Sequence, residues 1–199
     1  MAGGHALLLT SALLLALARA DDGWVAARAT WFDVGPDMST ANCHYSSAPT
    51  GRYVGAWPDH QDGFDASCGK CFEVSCRNAD FQDGYGETLS RSNVCYDPSK
   101  SVVITIVDAC PCSYPNNAYS NQRWCCGDAE HIDLSQEAFE QLADLSQGAI
   151  GIFFRQVSCS TSGSPGNGGG GAYSSGGGSG QVQQPQTSAG WGGFLRWGR

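Results

Sequence analysis

The sequence predicts a mainly β domain that disulfide bonds stabilise, with a flexible tail behind it. Three observations support this prediction. Short runs with β-strand patterns recur along the chain, turn residues separate them, and one segment has a clear helical pattern. Ten cysteines are present, an even number. After residue 160 the composition changes to Gly, Ser, Gln and Pro. We therefore expect a compact, mainly β barrel with one or two short helices in residues 21–160.

The first twenty residues have the pattern of a secretory signal peptide. Ala6–Ala18 is almost continuously apolar, and Ala18-Arg19-Ala20 offers a cleavage site between small residues. The apolar run is shorter than the about 20 residues that a membrane-spanning helix needs. We therefore expect cleavage of residues 1–20, secretion to the extracellular space or cell wall, and no membrane attachment of the mature chain.

Four segments have strand patterns. Cys71–Cys76 alternates apolar and polar residues, and Val102–Val107 is a run rich in β-branched residues. Trp24–Phe32 and Ala149–Val157 are the first and the last of the four predicted strands. The long segments between them that are rich in turn residues are predicted loops, at 81–98 and 113–130.

One helix is predicted at Leu134–Leu145. Its apolar face consists of Leu134, Ala138, Leu142 and Leu145. Asp133 has the side chain of a good N-cap, and Gln136 three residues later completes a capping-box pattern. Gly148 is a natural end for the helix.

The tail, residues 161–199, has too few apolar residues to form a core. Its Gly- and Ser-rich composition is typical of a flexible linker, and we expect it to be disordered. The aromatic residues at its end, which include Trp191 and Trp197, could contact a sugar surface or a partner. A disordered terminus is the interpretation that the composition favours.

Charge restricts the partners. The formal net charge is −8, so nucleic acids and polyanionic polymers are repelled and neutral polysaccharide is favoured.

Composition and length fit one domain with a tail, and we expect a monomer. Metal sites and cofactors are not expected, because His44 and His60 are isolated and Cys68-Gly-Lys-Cys71 has no βαβ pattern around it.

The cysteines predict a disulfide framework, because the count is even and a signal peptide indicates an oxidising compartment. The sequence alone does not determine their connectivity. The ten are Cys43, Cys68, Cys71, Cys76, Cys95, Cys110, Cys112, Cys125, Cys126 and Cys159.

Several segments, in order, resemble the first domain of expansins. The opening Ala29-Thr30-Trp31-Phe32 resembles their Ala-Thr-Phe-Tyr, and Ser67–Cys76 resembles their Ser-Cys-Gly-Ala-Cys-Phe-Glu-Ile-x-Cys. His131–Phe139 resembles their His-Phe-Asp-Leu-Ser-Gln-Pro-Ala-Phe. Further matches are 102–111 with their strand that ends in Cys-Pro-Pro, 124–125 with their Trp-Cys, and 151–159 with their closing Tyr-Arg-Arg-Val-x-Cys. Each motif alone is of moderate specificity, but together in this order they are specific.

This resemblance implies a six-stranded double-psi β-barrel. It also implies three disulfides: Cys43–Cys68, Cys71–Cys159 and Cys76–Cys95. The remaining four cysteines have no complete counterparts in the family. A direct Cys125–Cys126 bridge is strained, so we expect these two to pair with Cys110 and Cys112.

The resemblance also implies a polar site at Thr30, Asp108 and Asp133. A carboxyl group that is partly screened from water has a raised pKa and can donate a proton to a glycosidic oxygen. We therefore assign the chemistry of the site to Asp133 and Asp108. The predicted substrate contacts are Thr30, Phe32, Tyr53, Trp57 and His131. Phe32 stands where expansins have a Tyr, so the site lacks one hydroxyl.

A second carboxylate that could activate water is not found. Inverting glycoside hydrolysis needs one about 6.5–9.5 Å from the acid. Family-45 endoglucanases, which share this barrel, have that Asp in a Thr-Arg-Tyr-Trp-Asp motif. Here Asp33 comes one position early, and on a strand this offset points a side chain to the opposite face. Asp37 is a weaker candidate in a predicted turn. The sequence therefore favours a protein that is not an enzyme.

The leading hypothesis is a secreted, expansin-like protein that binds neutral cell-wall glucans and loosens their contacts without hydrolysis. The β-sandwich domain that follows the barrel in expansins has no counterpart in this sequence. A first alternative is a family-45-like endoglucanase. A second is a signalling or defence module like barwin or the plant natriuretic peptides, which Ile106–Pro111 also resembles. Trp124-Cys125 and His131 favour the expansin-like reading.

Overall fold

The computed structural model describes residues 23–112, 118–161 and 196–197. The signal peptide predicted at residues 1–20 lies outside this part of the chain. So does the tail, except for its short segment 196–197. Within these residues, none of the helices has the length and apolar character that crossing a membrane requires.

The described residues form nine strands and two short helices. The strands are β1 (Val25–Asp33), β2 (Val54–Pro58), β3 (Cys71–Arg77), β4 (Phe81–Gln82), β5 (Thr88–Leu89), β6 (Ser101–Cys110), β7 (His131–Ser135), β8 (Ala149–Val157) and β9 (Arg196–Trp197). The helices are α1 (Ala118–Trp124) and α2 (Gln136–Phe139). Single 3-10 turns lie at Met38–Thr40, Phe64–Ala66 and Leu145–Gln147.

Six strands close into a barrel, which confirms the predicted fold class. Their order is β7–β2–β6–β3–β8–β1, and pairing of β1 with β7 closes the ring. The β1–β7 and β2–β6 pairs are parallel, and the other pairs in the ring are antiparallel. The strands β4 and β5 form a separate hairpin, and β9 pairs with the end of β1.

The barrel interior is filled by alternate side chains of the six strands. Ile132 and Leu134 of β7 belong to one buried cluster with Ile104 and Ile150. Aromatic packing extends this cluster, because the rings of Trp57 and Phe72 stack with centroids 4.8 Å apart, and Phe154 meets both edge-on. A second, smaller cluster lies on the other side of the sheet wall and includes Phe32, Val54, Ala56, Val107, Cys110 and Cys125.

The helix predicted at Leu134–Leu145 is wrong in extent and in its start. Residues His131–Ser135 form strand β7, and α2 spans only Gln136–Phe139. Ser135, not Asp133, is the N-cap, since its hydroxyl accepts a hydrogen bond from the Ala138 amide. Pairing with β1 on one side and β2 on the other satisfies the backbone of β7. Two sets of strand hydrogen bonds outweigh the local helical pattern.

The other differences are smaller. The strand β2 was not predicted, although it pairs with both β6 and β7. The helix α1 and the hairpin of β4 and β5 lie in segments predicted as loops. The four predicted strands are present as β1, β3, β6 and β8, each longer by one to four residues or equal in length.

Five disulfides stabilise the described chain. Cys43–Cys68, Cys71–Cys159 and Cys76–Cys95 confirm the pairs that the resemblance implied. The four cysteines whose pairing was open form Cys110–Cys125 and Cys112–Cys126. As expected, the two adjacent cysteines pair across to β6 and its end, so both bridges attach the end of α1 to that strand.

Candidate functional site

A row of in-register residues crosses four neighbouring strands and contains all three predicted polar residues. Thr30 on β1 pairs with Asp133 on β7, Asp133 pairs with Ala56 on β2, and Ala56 pairs with Asp108 on β6. Directly opposed residues project to the same face of a sheet. Adjacent strands lie about 4.8 Å apart, so the Cα atoms of the two acids are about 9.5 Å apart. We call Thr30, Asp133, Ala56 and Asp108 the polar row.

A β-bulge brings Asp108 into this row. Gly55 pairs with Ile106, but the next residue, Ala56, pairs with Asp108, so Val107 is the extra residue on β6. Without this register shift Ala56 would oppose Val107. Bulges commonly re-aim a side chain beside a functional site. The bulge therefore sets the position of Asp108 relative to Asp133.

The polar row lies on the outer wall of the barrel. Ile132 and Leu134 point into the interior, so alternation along β7 directs Asp133 outward. The smaller apolar cluster covers this side of the wall, and Val34, Met38 and Ala48 pack against it from the segment after β1. Thr30 and Asp133 are thus outside the barrel core yet beneath a covering layer.

Thr30, His131 and Asp133 form a buried hydrogen-bonded trio. The Thr30 hydroxyl donates to Asp133 Oδ1, and His131 Nε2 lies 3.2 Å from the same oxygen and 3.3 Å from Thr30 Oγ1. All three side chains are at most 3% exposed. The second oxygen of Asp133, Oδ2, and the second ring nitrogen of His131, Nδ1, have no protein partner. Burial lowers the pKa of His131, and the neighbouring Asp133 opposes that effect.

Asp108 is the acid of the row that reaches the surface. It is half-buried, and its Oδ1 accepts hydrogen bonds from the backbone amides of Asn42 at 2.9 Å and Ala109 at 2.8 Å. Burial raises the pKa of Asp108 to about 6, and repulsion by Asp133 adds to the rise. The two amides and the exposed His44 act in the opposite direction. At a weakly acidic pH this carboxyl can therefore either donate or accept a hydrogen bond.

The only group of possible metal ligands in the described residues belongs to this site. Sγ of Cys110 and one ligand atom each of His131 and Asp133 lie within 4.8 Å of one another. Cys110 is bonded to Cys125, so it offers no thiolate. These residues therefore do not fit a metal ion.

The predicted aromatic contacts are divided between core and surface. Phe32 is fully buried in the smaller cluster. Trp57 is packed in the barrel interior, where its indole N–H donates to the carbonyl of Asp62 at 3.1 Å. Neither ring offers a face to a sugar in this structure. Tyr53 is exposed and precedes β2 directly.

The two acids that were considered as catalytic bases, Asp33 and Asp37, lie away from the polar row. Asp33 is exposed at the end of β1, and its carboxylate accepts from the amide of Gly35 at 2.8 Å. Asp37 caps the 3-10 turn that follows by accepting from the amide of Ser39. Their carboxylates bind backbone amides of their own loop, so neither faces Asp133.

Two parts of the site were missed from sequence. Ala56, which separates the acids, lies on the strand that was not predicted. The apolar run Val54–Pro58 could have indicated this strand. The bulge on β6 could not have been predicted, because no sequence pattern marks it. The second part is the backbone amide of Asn42, which donates to Asp108. A backbone contact of this kind cannot be predicted from the identity of the side chain.

Two cavities of the described surface are not lined by the polar row. One, of about 390 Å³, is lined by Trp24, Phe153 and neighbouring residues of β3 and β6. The other, of about 450 Å³, lies beside Arg28 and the β4–β5 hairpin.

Comparison with known proteins identifies relatives of this barrel. A family model for the double-psi β-barrel, described as "Lytic transglycolase", matches residues 53–154, about half of the chain. The chain is similar to Expansin-A32 of Oryza sativa subsp. japonica, with 36% identity over 99 residues, which cover 49% of this chain and 31% of that protein. It is also similar to Expansin-A12 of Arabidopsis thaliana, with 28% identity over 163 residues, which cover 79% of this chain and 57% of that protein.

One solved structure that the chain matches is that of the apo expansin of Clavibacter michiganensis. It has 22% sequence identity and a TM-score of 0.44, and the match covers 70% of this chain and 52% of that one. In all three comparisons the chain spans less than two thirds of the relative's own length.

Proposed function

Because the chain belongs to the double-psi β-barrel family and its barrel is expansin-like, we propose that it is a secreted protein that binds neutral cell-wall polysaccharide. On this proposal it loosens contacts between polysaccharide chains without cutting them. The observation that carries the proposal is the polar row, which holds a half-buried acid with a raised pKa next to a buried polar trio. The net charge of −8 favours a neutral polymer over pectin or nucleic acid.

In this proposal Asp108 makes the direct contact with the sugar. Its free oxygen can accept from a sugar hydroxyl when ionised and donate to a sugar oxygen when protonated. Tyr53, which is exposed, is the proposed aromatic contact. Thr30, His131 and Asp133 act from beneath: Asp133 raises the pKa of Asp108, and the other two hold Asp133 in place. They are positioning residues.

The burial of Asp133 supports a non-hydrolytic mechanism. Inversion needs an acid and a base on opposite sides of the glycosidic bond, with a water molecule in reach of the base. Asp133 is 0% exposed, and Asp33 binds its own loop. Asp108 thus has no exposed carboxylate partner in the polar row.

An endoglucanase is the competing function, and one observation favours it. Asp108 and Asp133 are two acids on the same face, with Cα atoms about 9.5 Å apart. If the covering layer opened, the two carboxyl groups could flank a glycosidic bond. Release of reducing ends distinguishes this function from loosening alone.

The test measures extension of isolated cell walls and release of reducing ends with the same protein samples. We expect extension by the wild-type protein, no reducing ends, and at least tenfold less extension with Asp108→Asn. Asp133→Asn, which keeps an oxygen for the Thr30 hydroxyl, should lose extension while the circular dichroism spectrum stays native.

The control is Asp65→Asn, an exposed acid outside the polar row, which should retain full extension. Full activity of a folded Asp108→Asn variant would contradict the role of Asp108. Reducing ends that disappear with Asp133→Asn would establish the endoglucanase instead. Absence of both extension and polysaccharide binding would favour a signalling or defence module.

A further inference from the structure

A cavity on the outer face of the barrel has the composition of a binding cleft. It is the cavity of about 390 Å³, which is within the usual size range of small-ligand sites. Trp24 and Phe153 contribute aromatic rings to it, and Glu73, Ser75 and Ser101 contribute polar groups. We call it the Trp24 cleft.

The polar side of this cleft lies on three neighbouring strands of the barrel. Ser75 on β3 pairs with Ser101 on β6 and with Phe153 on β8, so these three form a row across three strands. Glu73 lies two residues before Ser75 and therefore projects to the same face. Hydroxyl groups, a carboxylate and an aromatic ring thus share one surface.

The groups that line the cleft are held in place by neighbours. The guanidinium carbon of Arg155 lies 4.6 Å from the centre of the Trp24 ring, and that of Arg77 lies 5.4 Å from the centre of the Phe153 ring. Glu73 accepts from the Ser101 hydroxyl at 2.6 Å and from Arg155. Groups that are ordered before binding lose little conformational entropy when a ligand arrives.

The charges of the cleft favour a neutral ligand. Glu73 is the one charged residue that lines it. Of the two cations beside it, Arg155 is bound to Glu73 at 2.7 Å, and Arg77 lies against the Phe153 ring. The carboxylate of Glu73 and the net charge of −8 repel anions. A neutral sugar has an apolar ring face and hydroxyl groups at the ring edge. These features match the aromatic rings and the hydroxyl groups of the cleft.

The β3 side of the cleft lies across the barrel from Asp133. In the closed order β7–β2–β6–β3–β8–β1, strand β3 is three strands from β7 in either direction. Glu73 and Ser75 are on β3, and Asp133 is on β7. Asp108 is on β6 with Ser101, but seven residues further along that strand, which corresponds to about 23 Å. One or two sugar rings in the cleft therefore do not reach Asp108.

From these observations we infer that the Trp24 cleft is a second binding site for neutral saccharide, which accommodates one or two sugar rings. The inference rests on the proposed function, because it assigns the same class of ligand to a second site on the barrel. The two rings stack on the faces of the sugar, and Ser75, Ser101 and Glu73 bind its hydroxyl groups.

The test is a titration of the isotope-labelled protein with cellohexaose, followed by NMR. We expect the indole N–H signal of Trp24 to shift, and the double variant Trp24→Ala/Phe153→Ala to bind about tenfold more weakly at this site, a loss equivalent to 1.4 kcal/mol. Both residues are at the surface, so the variant should stay folded. Tyr85→Ala removes an exposed aromatic ring outside the cleft and is the matched control.

Asp108→Asn separates this inference from the proposed function. If the Trp24 signal still shifts in that variant while wall extension is lost, both proposals are supported. If cellohexaose binds, but neither the Trp24 signal nor the double variant responds, the cleft is not a saccharide site and the proposed function stands. If no signal of the protein responds to cellohexaose, both proposals fail.

Discussion

Asp108 shows how one residue combines burial, hydrogen bonding and charge. Its carboxyl is half-buried and accepts hydrogen bonds from two backbone amides. In the polar row it is two positions from the buried Asp133, with Ala56 between them. Burial has the largest effect on its pKa, which rises to about 6. The resemblance to expansins pointed to Thr30, Asp108 and Asp133. The sequence could not show that only Asp108 approaches solvent, because burial there depends on a loop from a distant part of the chain.

The pKa of Asp108 predicts a pH-dependent stability. An unfolded Asp has a pKa near 3.8, so between pH about 4 and 6 the folded state binds more protons than the unfolded state. The free energy of unfolding should therefore fall as the pH rises through this window, by at most about 3 kcal/mol. Urea denaturation of the wild-type protein and of Asp108→Asn at several pH values measures this contribution.

Asn keeps an oxygen for the two amides but does not titrate, so its variant should lose this part of the pH dependence. Asp65→Asn, at an exposed position, is the control and should keep it. Identical pH profiles for the wild-type protein and Asp108→Asn would contradict the assignment.

At the level of elements, the junction of β7 and α2 is where local sequence pattern and tertiary structure disagree most. His131–Ser135 alternates polar and apolar residues, a strand signal that the longer helical spacing of Leu134, Ala138 and Leu142 obscured. The strand prevails because β1 and β2 pair with it on both sides. The strands β3 and β6 were correctly predicted as strands, because their local sequence patterns agree with the pairing that the barrel gives them.

Ser135 connects this junction to the neighbouring strand. Its hydroxyl accepts from the amides of Ala138 and Val54 and donates to the carbonyl of Arg52 at 2.7 Å. Ser135→Ala removes these bonds in a fully buried position, so the free energy of unfolding should fall by about 1–3 kcal/mol. Chemical denaturation measures the loss, with the half-buried Gln136→Ala as the control. A change equal to that of the control would contradict the capping role.

For the whole molecule, ring closure and the five disulfides determine the fold together. The closed order of strands places β1 beside both β7 and β8, which are far from it in sequence. Such long-range pairings are not encoded by any local pattern, so the double-psi order of the six strands could be predicted only through the resemblance to a family. The pairing of Cys110, Cys112, Cys125 and Cys126 likewise required the position of α1, which lies in a predicted loop.

The disulfides are expected to differ in their contribution to stability. Cys71–Cys159 joins residues 88 apart in sequence, and Cys112–Cys126 joins residues 14 apart. The loop-entropy model gives about 4–5 kcal/mol for the first and about 3 kcal/mol for the second. Replacing each pair by alanine should therefore lower the free energy of unfolding more for Cys71–Cys159, as equilibrium denaturation measures. Equal losses would show that the span of the loop does not control the effect.

Ala56 has a consequence for how the two acids exchange protons. Its methyl group is the only side chain between Asp133 and Asp108 in the row, and it can neither donate nor accept a hydrogen. A methyl group cannot relay a proton through hydrogen bonds, so the row offers no path for proton transfer from one carboxyl to the other. Protons therefore reach Asp108 from the surrounding water and not along the row.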